Sequence, residues 1–225
     1  MVPIEPSAGY NREMCGKIRA KQSWAATVDV AAARVDVADD QTEALRVMAN
    51  LPVIVVDGGE RMVLPMRWGF PDPKDWRRPR PIHARGETID TMPAFASVFR
   101  DGQRGIVLAE SFNEAPDSGA QYVVTPAGPI GVAFVWRRFD IGDEFLFACV
   151  MVTVPANRLL CGLPTDRMPA VIAAEDWAVW LGEKPGDAKA CLRTVDDVRW
   201  TMSREERAAS VRRARPAISD PGGLF

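Results

Sequence analysis

The sequence has very few of the residues that commonly hold metal ions. Its 225 residues include one histidine, His83, and four cysteines, and no two cysteines have Cys-x-x-Cys spacing. Structural zinc sites need thiolates and imidazoles at paired spacings, so we expect neither a metal ion nor another cofactor. Scattered cysteines are typical of free thiols in a reducing compartment, which favours a cytoplasmic location.

Long apolar runs are also missing. No stretch approaches the 18 consecutive apolar residues of a membrane-spanning helix, and the N-terminus lacks the basic start and apolar core of a secretory signal. The net charge of −2 provides no global positive field for nucleic acid. Because 47% of the residues are hydrophobic and 26% are charged, the composition is that of a globular protein without membrane contact.

The apolar patterning that is present predicts strands and short helices. Two apolar runs flank residues 57–60 and predict a β-hairpin over 52–66. A second hairpin is predicted over 121–136, turning at 126–129, with further strands at 105–110, 144–154 and 168–173. Helices are predicted at 39–50, 92–102, 174–182 and 187–195. Hairpins with interspersed helices, without βαβ units, predict an α+β fold: a single domain built on an antiparallel β-barrel-like sheet.

Both ends of the chain depart from this pattern. Residues 1–14 are rich in proline and polar residues without periodicity, so we expect them to be disordered or absent from the mature protein. Residues 15–202 then form the domain. Residues 203–225 are predicted to be a charged tail that is helix-prone as far as Pro216.

A basic cluster stands out locally against the nearly neutral net charge. The segment DWRRPRPIHARGE holds Arg77, Arg78, Arg80 and Arg85 next to Trp76. Arginines pair with phosphates and tryptophan stacks on bases, as in proteins that bind single strands. The segment therefore predicts a nucleic-acid contact, and the alternative is a solvated, proline-rich loop.

Cys15 is the cysteine whose surroundings favour reactivity. The other three, Cys149, Cys161 and Cys191, lie in apolar segments that are typical of buried, inert thiols. Cys15 is followed by Lys17 and further basic residues, which would stabilise a thiolate.

Six segments occur in an order and at spacings that resemble a known family. They are MCGKI at 14–18, RWGF at 67–70, IHARGETI at 82–89, GIVLAESFNEA at 105–115, TVPANRLLCGLPTDRMPAVI at 153–172 and EDWAVWL at 175–181. Together they resemble the SOS response-associated peptidase family, whose abasic-site processing proteins crosslink themselves to single-stranded DNA. The resemblance covers about residues 14–200 and is poor at 20–50.

The resemblance implies a catalytic role at four positions. Cys15 corresponds to the cysteine that becomes the N-terminus after removal of the initiator methionine, and Glu114 to a glutamate that handles protons. His83 stands where the family has asparagine, and Thr165 where it usually has histidine. Without the resemblance, Glu114 would be read as a surface glutamate.

The resemblance and the basic cluster together predict the DNA contacts. For one of them, Trp68, packing in the core is the alternative. The predicted contacts are Arg67, Trp68, Arg77, Arg78, Arg80, Arg85 and Arg167.

An N-terminal cysteine explains the chemistry that the resemblance implies. Its free amine condenses with the aldehyde of an abasic sugar, and its thiol closes a durable thiazolidine ring. We therefore expect covalent capture of abasic sites in single-stranded DNA by a cytoplasmic, nucleoid-associated monomer, in the DNA damage response. The amine is freed either because Met14 is the functional start or because Cys15 cleaves off residues 1–14.

Two other functions remain open from the sequence. One is binding of single-stranded DNA without chemistry. The other is a cysteine hydrolase in which Cys15, His83 and Glu114 act as nucleophile, base and acid.

Overall fold

The computed structural model describes residues 16–19, 34–35, 44–114, 120–163, 165–195 and 199–205, with the backbone alone at 34–35 and 44. The predictions for residues 1–15 and for the tail beyond 205 lie outside these residues. The strands are β1 (Lys17–Arg19), β2 (Arg34–Val35), β3 (Ala44–Arg46), β4 (Asn50–Asp57), β5 (Glu60–Trp68), β6 (Pro71–Asp72), β7 (Asp75–Pro79), β8 (His83–Arg85), β9 (Arg104–Ala109), β10 (Ser111–Glu114), β11 (Gln121–Thr125), β12 (Ile130–Ile141), β13 (Glu144–Pro155), β14 (Arg167–Pro169), β15 (Val171–Ile172) and β16 (Thr201–Glu205).

The helical elements are short. Two α-helices, α1 (Ala96–Arg100) and α2 (Trp177–Trp180), accompany 3₁₀ turns at Gly86–Thr88, Leu160–Gly162, Ala174–Asp176 and Lys189–Cys191. None of the helices in the described part of the chain is long and apolar enough to cross a membrane.

A closed ring of five strands forms the centre of the fold. Around the ring, β13 pairs with β12, β12 with β9, β9 with β4 and β4 with β5. The ring closes where β5 pairs with β13 through Trp68 and Cys149. Trp68 and Phe134 meet edge to face, 5.9 Å apart, although β13 lies between their strands, so both rings point inward. The predicted α+β, barrel-like fold is confirmed, although the closing pair is parallel.

A second sheet of five antiparallel strands joins both ends of the described chain. Its order is β16-β11-β10-β1-β3. One face is apolar and fully buried through Ile18, Phe112 and Val124. Because successive side chains of a strand alternate between faces, Lys17 and Asn113 lie on the opposite face, where they are paired across β1 and β10.

Two local predictions follow from glycine conformation and are confirmed. The hairpin of β4 and β5 turns at Gly58 and Gly59, whose φ angles are 58° and 85°. Two consecutive residues with positive φ form the turn type that suits the twist of paired strands. Helix α1 lies inside the predicted segment 92–102, and Gly102 follows it with φ 77°.

Two of the predicted secondary-structure elements are wrong. The predicted helix 39–50 contains β3, which pairs with β1, and the start of β4. Residues 39–43 lie outside the described residues. The ladder with β1 satisfies the backbone polar groups here, which overrides a weak helix propensity. The predicted hairpin 121–136 is also wrong, because β11 pairs with β10 and β16 whereas β12 pairs with β9 and β13. Residues 126–129 therefore connect the two sheets.

The later elements are shorter or shifted. The predicted strand 168–173 is split into β14 and β15, and the predicted helix 187–195 is reduced to the 3₁₀ turn Lys189–Cys191. The boundary predicted at residue 202 cuts through β16, whose pairing with β11 continues to Glu205 opposite Gln121.

Candidate active site and nucleic-acid interface

The pairing of β1 with β10 places the start of the described chain beside Glu114. Cys15 itself lies outside the described residues. Lys17 pairs with Asn113 in an antiparallel register, and extending this register by one residue pairs Gly16 with Glu114. Glu114 ends β10 and is only 2% exposed. The residue that follows Cys15 is therefore brought next to the predicted catalytic glutamate.

Residues 47–49, which connect β3 to β4 and which we call the strap, link this region to His83. The N–H of Val47 donates to the carbonyl of Gly16 (3.3 Å), and the N–H of Met48 donates to the carbonyl of Trp68 (3.0 Å). The ring of Trp68 in turn lies edge-on to His83, with the centroids 6.4 Å apart. Consecutive strap residues thus hold Gly16 and Trp68, so the two regions adjoin.

Trp68 is a core residue in this structure. Its side chain is fully buried and its Nε1 donates to the carbonyl of Ile82 at 3.1 Å. Since no face of the ring is accessible to a base, the predicted DNA contact is corrected to the alternative, packing in the core. In the candidate site, the ring of Trp68 packs edge-on against His83.

Arg167 is also buried, and its charge is already compensated. Its Nη1 and Nη2 donate to the two carboxylate oxygens of Glu87, the second at 2.8 Å, and Nη2 also reaches the carbonyl of Thr153 at 2.6 Å. The hydrogen bond from Arg167 lowers the pKa of Glu87, which burial alone would raise. Because the terminal nitrogens are engaged within the protein, Arg167 here joins β14 to β13 and to the turn after β8 instead of facing DNA.

The two positions that depart from the family pattern flank the same stretch of β13. His83 of β8 pairs with Met151, and β14 pairs with β13 from Thr153 onward. The hydroxyl of Thr165 donates to the carbonyl of Arg167 (3.2 Å) and accepts from its N–H (3.4 Å), which closes a local turn. The hydroxyl of Thr165 is thus bound to the backbone, whereas His83 is half-buried beside Trp68.

Arg67 is a buried arginine whose inner edge meets no acceptor. It is 6% exposed, and among the described residues nothing accepts from its Nε or Nη2. Burial lowers its pKa accordingly. These two nitrogens form the edge of a guanidinium that takes two oxygens of a carboxylate or a phosphate. The predicted DNA contact at Arg67 remains a proposal, and it concerns a guanidinium group that the protein encloses.

Part of the basic cluster lies on an exposed hairpin: Trp76, Arg77 and Arg78 belong to β7, whereas Arg80 follows this strand and Arg85 lies on β8. β6 and β7 pair with each other, and Trp76 is 49% exposed with the guanidinium of Arg77 5.5 Å from its ring centre. Gly69 fixes the base of the hairpin, because it has φ 108° and a Cβ there would come within 2.4 Å of Pro79. Trp76, rather than Trp68, is therefore the tryptophan available for stacking.

The remaining predicted contacts are on the surface. Arg77, Arg78, Arg80 and Arg85 are all exposed, and the ion pair of Arg78 with Asp75 is long, at 3.4 Å. Their guanidinium groups are accessible to a phosphate without any change of fold.

Sequence reasoning missed a polar cluster beside β1. One Glu205 oxygen accepts from Lys17 (3.2 Å) and Arg19 (2.8 Å), and the other accepts from Asn113 (2.7 Å). Burial would raise the pKa of Glu205, but the hydrogen bonds and charges of these donors lower it below its usual value. The only signal is the alternation in TMSRE, which is typical of a strand, and its last three residues, 203–205, fall in the predicted tail.

The described cysteines give no second candidate nucleophile. Burial raises the pKa of both Cys149 and Cys191, which keeps their thiols protonated. The side chain of Cys161 is exposed. Because this residue lies in the middle of the chain, its nitrogen is part of a peptide bond and is not a free amine. Within the described residues no group of three or more potential ligands lies together as a metal site would.

Comparison with known proteins gives the family of the chain and structures of similar fold. A sequence profile described as SOS response associated peptidase (SRAP) matches residues 14–210. Crystal structures of a protein from Bacteroides thetaiotaomicron (19% identity, 85% of this chain and 92% of that chain, TM-score 0.72) and of one from Bordetella bronchiseptica (20% identity, 86% and 100%, TM-score 0.72) have a similar fold. A phage-related protein from the same Bordetella species is similar at TM-score 0.61, with 19% identity over 86% of this chain and 95% of that chain. A search of curated protein sequences finds no significant match.

Proposed function

Because the chain belongs to the SOS response-associated peptidase family, we propose that it captures abasic sites in single-stranded DNA covalently through Cys15. The family supports a role associated with DNA damage, and the capture chemistry is the proposed step. One observation carries it: the register of β1 and β10 brings Gly16, the residue after Cys15, beside the buried Glu114.

The proposed reaction uses both reactive groups of an N-terminal cysteine. The neutral α-amine of Cys15 attacks the aldehyde of the ring-opened abasic sugar, and loss of water gives an imine. The thiol then adds to the imine carbon while its proton passes to the nitrogen, which closes a thiazolidine. Ring closure is effectively intramolecular, since both groups belong to one residue.

Glu114 is suited to the proton transfers of this sequence. The carbinolamine must lose its hydroxyl as water, and a carboxyl group within reach can donate the proton and later accept one. Burial shields the carboxyl from bulk water, so the proton is delivered locally. His83 is the only imidazole of the chain, and we assign it the proton transfers that the family histidine would perform at position 165.

The proposal is tested with an oligonucleotide that contains one abasic site. Intact mass should show that the active protein begins at Cys15, and denaturing electrophoresis should show a heat-stable adduct. Cys15→Ala should abolish the adduct because it removes the thiol that closes the ring. Cys161→Ala is the matched control, since it removes an exposed but internal thiol, and it should leave the adduct unchanged.

Three results would contradict the proposal. Protein that retains residues 1–14 and still forms the stable adduct would exclude the amine of Cys15. Binding of single-stranded DNA without any adduct would indicate a binding protein without chemistry. Cys15-dependent turnover of a peptide or an ester in the absence of DNA would indicate the hydrolase.

A further inference from the structure

Three donors of the second sheet converge on one carboxylate. Lys17 Nζ and Arg19 Nη2 lie 3.2 and 2.8 Å from the same oxygen of Glu205, and Asn113 Nδ2 lies 2.7 Å from the other oxygen. We call the three donor residues the β1 cradle. Their side chains lie on one face of the sheet, because Lys17 pairs with Asn113 and Arg19 is two residues further along the same strand.

The β1 cradle has the composition of an oxyanion site. It offers two cations and one amide to an anion with two free oxygens, which is also the arrangement of a phosphodiester with its two non-bridging oxygens. Asn113 is 4% exposed and the side chain of Lys17 15% exposed, so these two donors are held in place, while Arg19 is 47% exposed. Both cations thus face the same oxygen of one carboxylate.

Glu205, whose carboxylate occupies the β1 cradle, lies at the edge of the second sheet. Glu205 is the last residue of β16, and β16 is an edge strand that pairs with β11 alone among the described strands. Its side chain is 25% exposed. The ion pair with Arg19, whose side chain is 47% exposed, is the one that salt screens most readily. A stronger or multivalent anion can therefore take the place of Glu205 without disturbing the ladders of β1.

We propose that Glu205 is an internal anion that competes with a phosphodiester of the DNA strand for Lys17 and Arg19. The inference rests on the proposed function, because Lys17 follows Cys15 by two residues and a phosphate held there would flank the sugar being captured. Glu205 then sets the affinity for the strand. The carboxylate must leave before the phosphate next to the abasic sugar can enter.

The test measures non-covalent binding, so it does not depend on the capture chemistry. A labelled single strand carrying a tetrahydrofuran abasic analogue, which has no aldehyde, is titrated by fluorescence anisotropy at several salt concentrations. Glu205→Gln should bind about 3–10-fold more tightly at low salt. The log–log salt slope should steepen by about 0.7, the value for one additional single-strand phosphate contact.

Glu183→Gln is the matched control. Glu183 pairs with Arg61 and both side chains are 22% exposed, close to the exposure of Glu205. This substitution removes a comparable ion pair at β5, which belongs to the other sheet, so it should leave affinity and salt slope unchanged. An equal gain in both variants would show that net charge alone is responsible, and it would overturn the proposal.

Two further variants locate the effect. Adding Lys17→Met and Arg19→Met to Glu205→Gln should remove the gain, and so should replacing the flanking phosphodiester by a neutral methylphosphonate. If Glu205→Gln does not fold, Glu205→Asp, which shortens the side chain but keeps the strand, should give a smaller gain of the same sign. Unchanged or weaker binding in a folded variant would show that Glu205 only clamps β1. That result would leave the capture reaction untouched, whereas a missing adduct with intact binding would refute the capture alone.

Discussion

The guanidinium of Arg167 donates to both carboxylate oxygens of Glu87, two residues separated by 80 positions in the sequence. The pair joins β14 to the turn that follows β8, and β13 lies between these strands. Both residues belong to segments by which the sequence resembles its family. Their contact gives this part of the motif a structural role, because it ties β14 to the turn after β8.

Removing the carboxylate of Glu87 should destabilise the fold. In Glu87→Gln the buried guanidinium of Arg167 loses its counter-ion and one acceptor, so we expect the free energy of unfolding to fall by about 1–3 kcal/mol. Urea denaturation measures the change. Asp140→Asn is the control, because Asp140 pairs with Arg138 at an exposed site and should cost less than about 1 kcal/mol. Equal losses in both variants would contradict a special role for the Arg167 pair.

The same pair predicts a pH dependence of stability. The pKa of Glu87 is lower in the folded protein than in the unfolded chain, so its contribution is complete above the unfolded pKa and is lost as the pH falls through the folded pKa. The stability difference between wild type and Glu87→Gln should therefore be constant near neutral pH and shrink below about pH 4.3. A difference that persists in full at lower pH would assign the effect to packing.

Arg67→Met should make the protein more stable. Nothing among the described residues accepts from Nε and Nη2 of Arg67, so the substitution removes a buried, uncompensated charge and keeps an apolar stem of similar length. We expect a gain of about 1–3 kcal/mol in the free energy of unfolding, measured by thermal and urea denaturation. If Arg67 binds DNA phosphate in the complex, the same variant should bind single strands more weakly. A loss of stability without a loss of affinity would contradict both statements.

The two departures from the family pattern should be interdependent. His83→Asn restores the family residue but removes the only imidazole, so the rate of adduct formation should fall. His83→Asn combined with Thr165→His should recover the rate, since an imidazole returns at the family position. Single-turnover kinetics at several pH values measure both effects. An unchanged rate and pH profile in His83→Asn would mean that His83 is a passive replacement.

Charge reversal on the β6–β7 hairpin should weaken DNA binding. Arg77→Glu with Arg78→Glu replaces two exposed guanidinium groups, so affinity should fall and the salt slope should become shallower by about 0.7 for each lost phosphate contact. Arg138→Glu is the control, because Arg138 is also exposed but lies on β12. Unchanged affinity in the double variant, measured by anisotropy, would exclude the hairpin as a DNA track.

What could be predicted from the sequence depended on whether the signal was local. The turn at Gly58 and Gly59 is encoded by glycines that permit positive φ, so its hairpin was found. The segment around 126–129 has the same local appearance, yet β11 and β12 join different sheets, because their partners come from distant parts of the chain. Glu205 was missed for the same reason: its partners lie 186 and 188 residues away.

The same difference between local and long-range information applies to the residues of the candidate site. The motifs predict site roles for Glu114 and His83. Whether a charged or aromatic residue near them is enclosed or exposed is shown only by the fold. Trp68 and Trp76 cannot be ranked from composition, and only the fold shows that the first is enclosed in the barrel and the second is exposed.

The second sheet unites the first and last strands that the structure describes, and this has a consequence for synthesis on the ribosome. The N-terminal segment emerges first, whereas β10 and then β16 follow about 90 and 180 residues later by the numbering of the strands. Until residue 114 has emerged, β1 has no β10 to pair with, and the carboxylate of Glu205 arrives later still. If Cys15 acts as proposed, a nascent chain presents its amine and thiol before the groups that assist them, so ribosome-bound fragments remain poor at capture. Competence then arrives as a late event of folding, once β10 has emerged and has brought Glu114 to β1.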